Sequence, residues 1–208
     1  MNEDSETGRT RQRLRDRLRE ATLREILHAA EEVFAESGLE AATMAQIAER
    51  AGVAVGTLYN RFADREALLE ALRTERRAEV LAELDRTLAA NEAAGFREQL
   101  IGFFVTWFEK IDEHRAFFRL ILSREVGPAE KRAQTHAAMF DRLESILQRG
   151  HREKLLKRDV DRAFVLTLFW MAKGILQREV YGLEPLGPRE AARSLVSLFL
   201  DGAAREAR

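Results

Sequence analysis

The apolar residues of this 208-residue chain recur at intervals of three and four positions along almost its whole length. The first run, from Leu23 to Phe34, places an apolar side chain on one face of every helical turn. No segment sustains the alternation of apolar and polar residues that is typical of a β-strand. The chain has only three prolines, which leaves long helices uninterrupted. The sequence therefore predicts an all-α fold of about nine helices in two groups.

Short-range signals delimit the N-terminal helices. The first helix is expected to end at Gly38, because glycine adopts the left-handed C-cap conformation at little cost. Thr43 and Gln46 have the spacing of a capping box for the second helix. A third, short helix is predicted over residues 55–62, and Asp64 is expected to cap the fourth.

Three segments are predicted along the chain. Residues 1–19 form a basic N-terminal arm that we expect to be disordered, residues 20–66 form the first helical domain, and residues 67–208 form the second. Within the last segment, helices are predicted at about 115–124, 128–150, 161–181 and 188–204, with breaks at Gly127–Pro128 and at residues 182–188.

The composition excludes several classes of protein. Hydrophobic residues make up 46% of the chain and charged residues 33%, a balance that is typical of a globular protein. The chain has no cysteine, which excludes disulfides and thiolate metal sites and is compatible with a reducing compartment. Neither a signal peptide nor a membrane-spanning run is present in the sequence, so we expect a cytosolic protein without a cofactor.

The distribution of charge is more informative than its total. The formal net charge is −1, yet residues 9–19 contain six arginines and one aspartate. A basic arm of this kind can lie along DNA phosphates, or it can be a solvated tail. The sequence leaves both interpretations open.

Residues 43–65 have the pattern of a helix-turn-helix. Two helices too short to be stable alone flank Gly52, where a positive φ is easily accommodated, and Ala48 is small enough for a close helix crossing. Asn60 can hydrogen-bond a base edge, and Thr57 can contact a base or a thymine methyl group. The remaining polar groups can contact phosphates. The DNA-binding candidates are Thr43, Val55, Gly56, Thr57, Tyr59, Asn60, Arg61 and Arg65. An ordinary three-helix packing unit is the alternative.

The same segment resembles the DNA-binding signature of TetR-family transcriptional regulators. The residues that carry the resemblance are Thr43, Ile47-Ala48, Ala51-Gly52-Val53, Gly56-Thr57-Leu58-Tyr59, Phe62, Arg65 and Leu68, together with Ile26-Leu27, Ala29-Ala30, Phe34 and Gly38 in the first helix. Three positions depart from the family pattern: Ala54 replaces a frequent serine, Arg61 a frequent histidine, and Val55 a frequent basic residue. The operator sequence therefore cannot be inferred by resemblance.

The resemblance implies a C-terminal domain that forms a homodimer and binds a small molecule. Residues 164–176 are apolar on nearly all sides, as expected for a helix that is covered by its own chain and by a second subunit. Leu195, Leu198 and Phe199 are the candidates for the dimer interface.

Aromatic residues concentrate in the C-terminal segment, where a largely apolar pocket is expected. The candidates for ligand binding are Phe104, Trp107, Phe108, Met139, Leu143, Phe169, Trp170, Lys173 and Gln177. A buried Lys173 would favour an anionic ligand, whereas a lysine at the surface would not.

The resemblance thus implies a repressor that a small, largely apolar or aromatic ligand releases from a palindromic operator in double-stranded DNA. A ligand-independent architectural or cell-cycle DNA binder on the same fold is an alternative. A helical-bundle enzyme is the second alternative. Glu25 and His28 have the spacing of a di-iron ligand pair, but no second such pair occurs in the sequence.

Overall fold

The computed structural model describes residues 3–122, 129–156, 161–178 and 182–203. These residues form nine helices and no β-strand, which confirms the predicted all-α class. The helices are α1 (Glu3–Ala41), α2 (Met44–Arg50), α3 (Val55–Tyr59), α4 (Arg65–Ala90), α5 (Phe96–Glu113), α6 (Arg115–Leu122), α7 (Ala129–Arg152), α8 (Arg162–Leu176) and α9 (Pro188–Ala203).

The chain divides into two compact units, Met1–Glu75 and Arg76–Arg208. The division lies inside α4 and not at residue 66, where the sequence predicts it. The reason is that the first turns of α4 bury Leu68, Leu69 and Leu72, and these apolar residues continue the core of the N-terminal unit.

Helix α1 corrects the expectation of a disordered arm, because the helix begins at Glu3. Arginine and leucine, which make up eight of the eleven residues 9–19, both have high helix propensity. Gln12 also donates a hydrogen bond to the Asp16 carboxylate (3.0 Å), one helical turn away. The predicted break at Gly38 is confirmed: its φ of 80° interrupts the helical geometry before Ala41.

The caps of the short helices also follow prediction. Thr43 and Gln46 form both halves of a capping box at the start of α2. Gly52 has a φ of 65° in the turn that follows. Asp64 accepts a hydrogen bond from the Ala67 amide (2.8 Å) at the start of α4. Helix α3 is shorter than predicted and ends at Tyr59.

In the C-terminal unit, α5 packs mainly against α9 and α7. Its aromatic side chains, among them Phe103, Phe104 and Phe108, are almost fully buried at the centre of the apolar core. Helix α8 ends at Leu176, earlier than predicted, and α7 ends at Arg152. The predicted break at Gly127–Pro128 lies outside the described residues. Within the described part of the chain, no helix is long and apolar enough to cross a membrane.

Candidate DNA-binding face and effector cleft

Helix α3 presents a continuous exposed face in the N-terminal unit. Leu58 is completely buried, whereas Gly56, Thr57, Tyr59 and Asn60 are exposed. Among the described residues, none hydrogen-bonds the side chains of Thr57, Tyr59 or Asn60. The hydroxyl and amide groups of this face therefore remain available to an external partner.

Packing fixes the orientation of α3. Leu58 and Phe62 are anchored in the core of the N-terminal unit, and the amide of Val53 donates to the carbonyl of Ala48 (3.0 Å) across the turn. Val55 lies beside the polar groups and is partly exposed. A short helix held in this way can insert side chains into a DNA major groove, where amide and hydroxyl groups distinguish base pairs.

An ion-pair cluster joins α2 to α1. The guanidinium of Arg50 donates to Glu32 (3.1 Å) and to both carboxylate oxygens of Glu36 (3.0 and 2.7 Å). Its hydrogen bonds lower the pKa of the Glu36 carboxyl group below its ordinary value. No local spacing in the sequence indicates this cluster, because Arg50 lies 14 or more residues from its partners.

Two predicted phosphate contacts, Arg61 and Arg65, each hydrogen-bond backbone carbonyl oxygens of α1 in the structure. Arg61 is exposed, but it donates from Nη1 to the carbonyl oxygen of Arg19 (2.9 Å). Arg65 donates to the carbonyl oxygens of Leu39 and Glu40 at the end of α1. Helix termini leave such carbonyls without intrahelical donors, and a nearby arginine satisfies them.

The Thr43 hydroxyl is also engaged within the protein. It accepts from the Gln46 amide (3.3 Å) and lies 2.9 Å from the Gln46 side-chain oxygen. Thr43 is nevertheless exposed, so the start of α2 remains accessible.

Most predicted ligand-binding residues of the C-terminal unit pack against one another. Trp107 and Phe169 stack with ring centroids 5.1 Å apart and an interplanar angle of 16°. Phe104, Met139 and Leu143 are buried in the same core. These side chains cover one another, so they form a packed core there.

Trp170 and Lys173 lie together at the surface of α8, which is the second of the two alternatives for Lys173 in the sequence analysis. Trp170 is 50% exposed, and the Lys173 ammonium lies 4.5 Å from the centre of its ring. A cation over an aromatic face is stabilised by the ring quadrupole. The pair therefore lies at the surface of α8, where the Trp170 ring also contacts the ring of Phe169 edge-on at 5.9 Å.

A cleft lies where the end of α5, helix α6, the end of α8 and residues 185–191 meet. Its enclosed volume is about 60 Å³, and the empty space reaches about 700 Å³ only when the open mouth is included. Of the predicted ligand-binding residues, Phe108 and Gln177 line it. The other residues that line it were not predicted, and they combine apolar side chains with three arginines and one aspartate: Ile111, Phe118, Ile175, Leu176, Pro185, Leu186, Pro188, Ala191, Arg115, Arg119, Arg178 and Asp112.

Each of two arginines in the cleft has a partner from the protein. Arg115 pairs with Asp112 (3.3 Å), and Arg178 donates from Nε to the carbonyl oxygen of Glu184 (3.1 Å). Arg119 is exposed at the rim. The cleft therefore offers an apolar floor and a positively charged edge, which is suited to a ligand with an apolar body and an anionic group.

The predicted dimer-interface residues fall into two groups. Leu195 and Phe199 are buried within the unit, which corrects their assignment to the interface. Leu198 is 66% exposed on α9. Leu166 and Trp170 are the large apolar residues exposed on α8, so the two helices expose apolar surface that their own unit does not cover.

The histidine that suggested a metal enzyme lies on the surface. The imidazole of His28 is 67% exposed, with its Nδ1 atom 3.8 Å from Glu32. No cluster of three or more histidine, cysteine or acidic residues that could hold a metal occurs among the described residues.

The chain is similar in sequence to known bacterial transcriptional regulators. Residues 26–72 match the family model of bacterial regulatory proteins, tetR family. The transcriptional repressor KstR2 from Mycobacterium tuberculosis is 26% identical over 88% of this chain and 92% of its own. The regulator UidR from Escherichia coli is 34% identical over 55% of each chain.

The fold is also shared with a solved regulator. FadR from Bacillus subtilis, solved in complex with stearoyl-CoA, superposes with a TM-score of 0.75 over 86% of this chain and 97% of its own, at 22% identity. These similar proteins are transcriptional regulators and not enzymes.

Proposed function

We propose that this chain is a DNA-binding transcriptional regulator of the TetR family, and that it is a homodimeric repressor released from a palindromic operator by a small amphipathic anion. The exposed face of α3 is the observation that carries the proposal. Thr57, Tyr59 and Asn60 are exposed on α3 and at its C-cap, and no described residue hydrogen-bonds their side chains. Hydroxyl and amide groups that face water on a short, firmly packed helix are suited to reading base edges.

Gly56 supports close contact with DNA. Its φ is not in the left-handed region, and a Cβ atom added there would meet no atom within 4 Å. Neither the backbone nor the packing of the free protein therefore requires glycine at this position, although glycine weakens a helix. A partner that approaches the backbone closely accounts for it.

A homodimer follows from the uncovered surface of α8 and α9. Leu166, Trp170 and Leu198 expose apolar surface, which a second subunit would bury. A two-fold axis through this surface presents the same patch from both subunits. Two copies of α3 would then read half-sites about 34–36 Å apart on a palindrome.

The effector is proposed to bind in the cleft rather than among the stacked aromatic rings. Phe108, Phe118 and Leu186 would contact an apolar chain, and Arg119 would bind an anionic group at the rim. FadR holds stearoyl-CoA, a ligand of this chemical kind. If the ligand binds more tightly to a dimer state with altered α3 spacing, it lowers operator affinity by the ratio of its affinities for the two states.

The packed aromatic core favours a second candidate function, a regulator of the same fold that responds to no effector. Trp107 and Phe169 fill the volume in which the sequence analysis expected a ligand. The two candidates differ in one measurable property, namely whether any compound releases the protein from DNA.

Binding of purified protein to the DNA that flanks its own gene tests DNA reading. We expect binding at least tenfold tighter than to a scrambled fragment. The variant Asn60→Ala should remove about 1–3 kcal/mol of this discrimination if the amide contacts a base. Gln148→Ala, which removes an exposed amide on α7, is the matched control. Equal affinity for both fragments would contradict the proposal.

Release by effectors tests the cleft. Stearoyl-CoA and free fatty acids should release the operator, whereas a fatty acid methyl ester of the same length should be weaker by about tenfold or more because it lacks the anionic group. Arg119→Gln should weaken release without changing DNA affinity in the absence of ligand, and Arg97→Gln on α5 is the control. If no compound acts, the protein is the effector-independent regulator.

A further inference from the structure

The arginine-rich segment, residues 9–19, has a regular arrangement that the proposed reading of bases by α3 does not use. Its six arginines occupy every second position of the sequence. In a helix, alternate positions fall on two opposite faces, because each residue turns by about 100°. Arg13 and Arg17 therefore lie on one side, and Arg11 and Arg15 on the other.

The side chains of these four arginines are exposed. Among the side chains that the structure describes, none forms an ion pair with Arg11, Arg13, Arg15 or Arg17. Leu14 and Leu18, which lie between the two arginine faces, are exposed as well. Residues 9–19 carry five net positive charges in a chain whose total is −1, so the positive potential is concentrated in this segment.

One hydrogen bond connects the segment to the neighbourhood of α3. Arg61, two residues beyond the end of α3, donates to the carbonyl oxygen of Arg19 (2.9 Å). From Arg19 the helix continues back to Arg11 over about 12 Å, at 1.5 Å per residue. This length corresponds to about three or four phosphates of one DNA strand, measured along the duplex axis.

We propose that the arginine-rich segment is a second DNA-binding element, which contacts the phosphate backbone beside the groove that α3 enters. This inference rests on the proposed operator binding. Arginines bind phosphates without regard to base sequence, so the segment contributes affinity and salt dependence but no base discrimination. It thus differs in kind from the contacts proposed for Thr57 and Asn60.

The salt dependence of DNA binding tests the proposal on the full-length protein. For each phosphate neutralised, the slope of log affinity against log salt changes by about 0.9. The double variants Arg11→Gln/Arg15→Gln and Arg13→Gln/Arg17→Gln each remove one arginine face. Glutamine keeps a high helix propensity, and circular dichroism checks that the variants remain folded. Arg97→Gln/Arg152→Gln removes the same charge from exposed positions of the C-terminal unit and is the control.

We expect at least one of the two segment variants to reduce the slope by about 1–2, equally on operator and scrambled DNA, while the control pair leaves it unchanged. The proposal would be overturned if both segment variants had the same slope of log DNA affinity against log salt as the control pair. The proposal would also be overturned if the segment variants no longer bound anionic phosphatidylglycerol vesicles but kept the wild-type slope of log DNA affinity against log salt. Failure of operator binding itself is recognised separately, because wild-type protein would then not distinguish operator from scrambled DNA.

Discussion

The Nη2 atom of Arg50 lies 2.7 Å from the Oε2 atom of Glu36, and this ion pair links α2 to α1. Glu32 completes the cluster through the other terminal nitrogen of the guanidinium. Helix α2 has only seven residues, too few to be stable without tertiary contacts. The ion pair therefore acts together with buried Ile47 and Ala48 to hold α2 in position.

The stability of the protein should depend on pH through Glu36. Its folded-state pKa is lowered by Arg50, so the ion pair stabilises the fold above the ordinary glutamate pKa. That contribution is lost as pH falls through the lowered folded-state value. Thermal unfolding between about pH 3 and pH 6, a range that spans the ordinary glutamate pKa, should show a smaller acid-induced loss in Glu36→Gln than in wild type. Glu25→Gln, an exposed glutamate on the same helix, should retain the wild-type profile, and identical profiles for all three proteins would contradict the assignment.

The two glycines of the helix-turn-helix should respond in opposite ways to alanine. Gly52 has a φ of 65°, so Gly52→Ala should lower the free energy of unfolding by about 1–2 kcal/mol. Gly56→Ala should raise it by about 0.4–1 kcal/mol, since the added methyl group meets no neighbour. Chemical denaturation measures both changes.

Gly56→Ala should also weaken operator binding, by about tenfold or 1.4 kcal/mol, if DNA approaches the backbone there. A variant that is more stable and binds DNA as tightly as wild type would show that Gly56 does not contact DNA.

The capping box at the start of α2 gives a third prediction. Thr43→Ala removes the oxygen that accepts from the Gln46 amide and should cost about 1 kcal/mol of folding stability. Thr43→Ser keeps the acceptor and should lose much less. Urea denaturation of the two variants separates the cap from other effects of the substitution, and equal losses would mean that the hydroxyl is not what stabilises the helix.

Two leucines of α9, three positions apart, should separate folding from dimerisation. Leu195 is completely buried, so Leu195→Ala should destabilise the fold by about 2–5 kcal/mol. Leu198 is mostly exposed, so Leu198→Ala should change intrinsic stability by no more than about 0.5 kcal/mol. It should raise the dimer dissociation constant in sedimentation equilibrium. An unchanged constant would argue against this face as the interface.

Local features of the fold could be predicted because their physical causes lie within a few residues. The capping box joins Thr43 to Gln46, and Asp64 caps the amide of Ala67. The positive φ of Gly52 follows from a turn that glycine accommodates at low cost. The helical class and the exposed face of α3 follow from the same short periodicity.

Long-range pairings could not be predicted in this way. Arg61 binds the carbonyl of a residue 42 positions away, and Arg65 binds one 25 positions away. In the sequence both arginines lie beside the proposed DNA-binding helix, and their charge there predicts contact with phosphates. Only the folded chain brings the end of α1 within reach of Arg65.

Short-range chemistry in the sequence determined the helical class, the helix-turn-helix with its caps and turn, and the concentration of positive charge in residues 9–19. The tertiary structure alone decided which apolar residues are core and which are surface. Leu195 and Leu198 have the same side chain on the same helix, and packing within the C-terminal unit buries the first and leaves the second exposed. The tertiary structure likewise packs Trp107 against Phe169 and leaves a cleft beside Phe118. Burial depends on what lies opposite a side chain, and residues distant in sequence supply those neighbours.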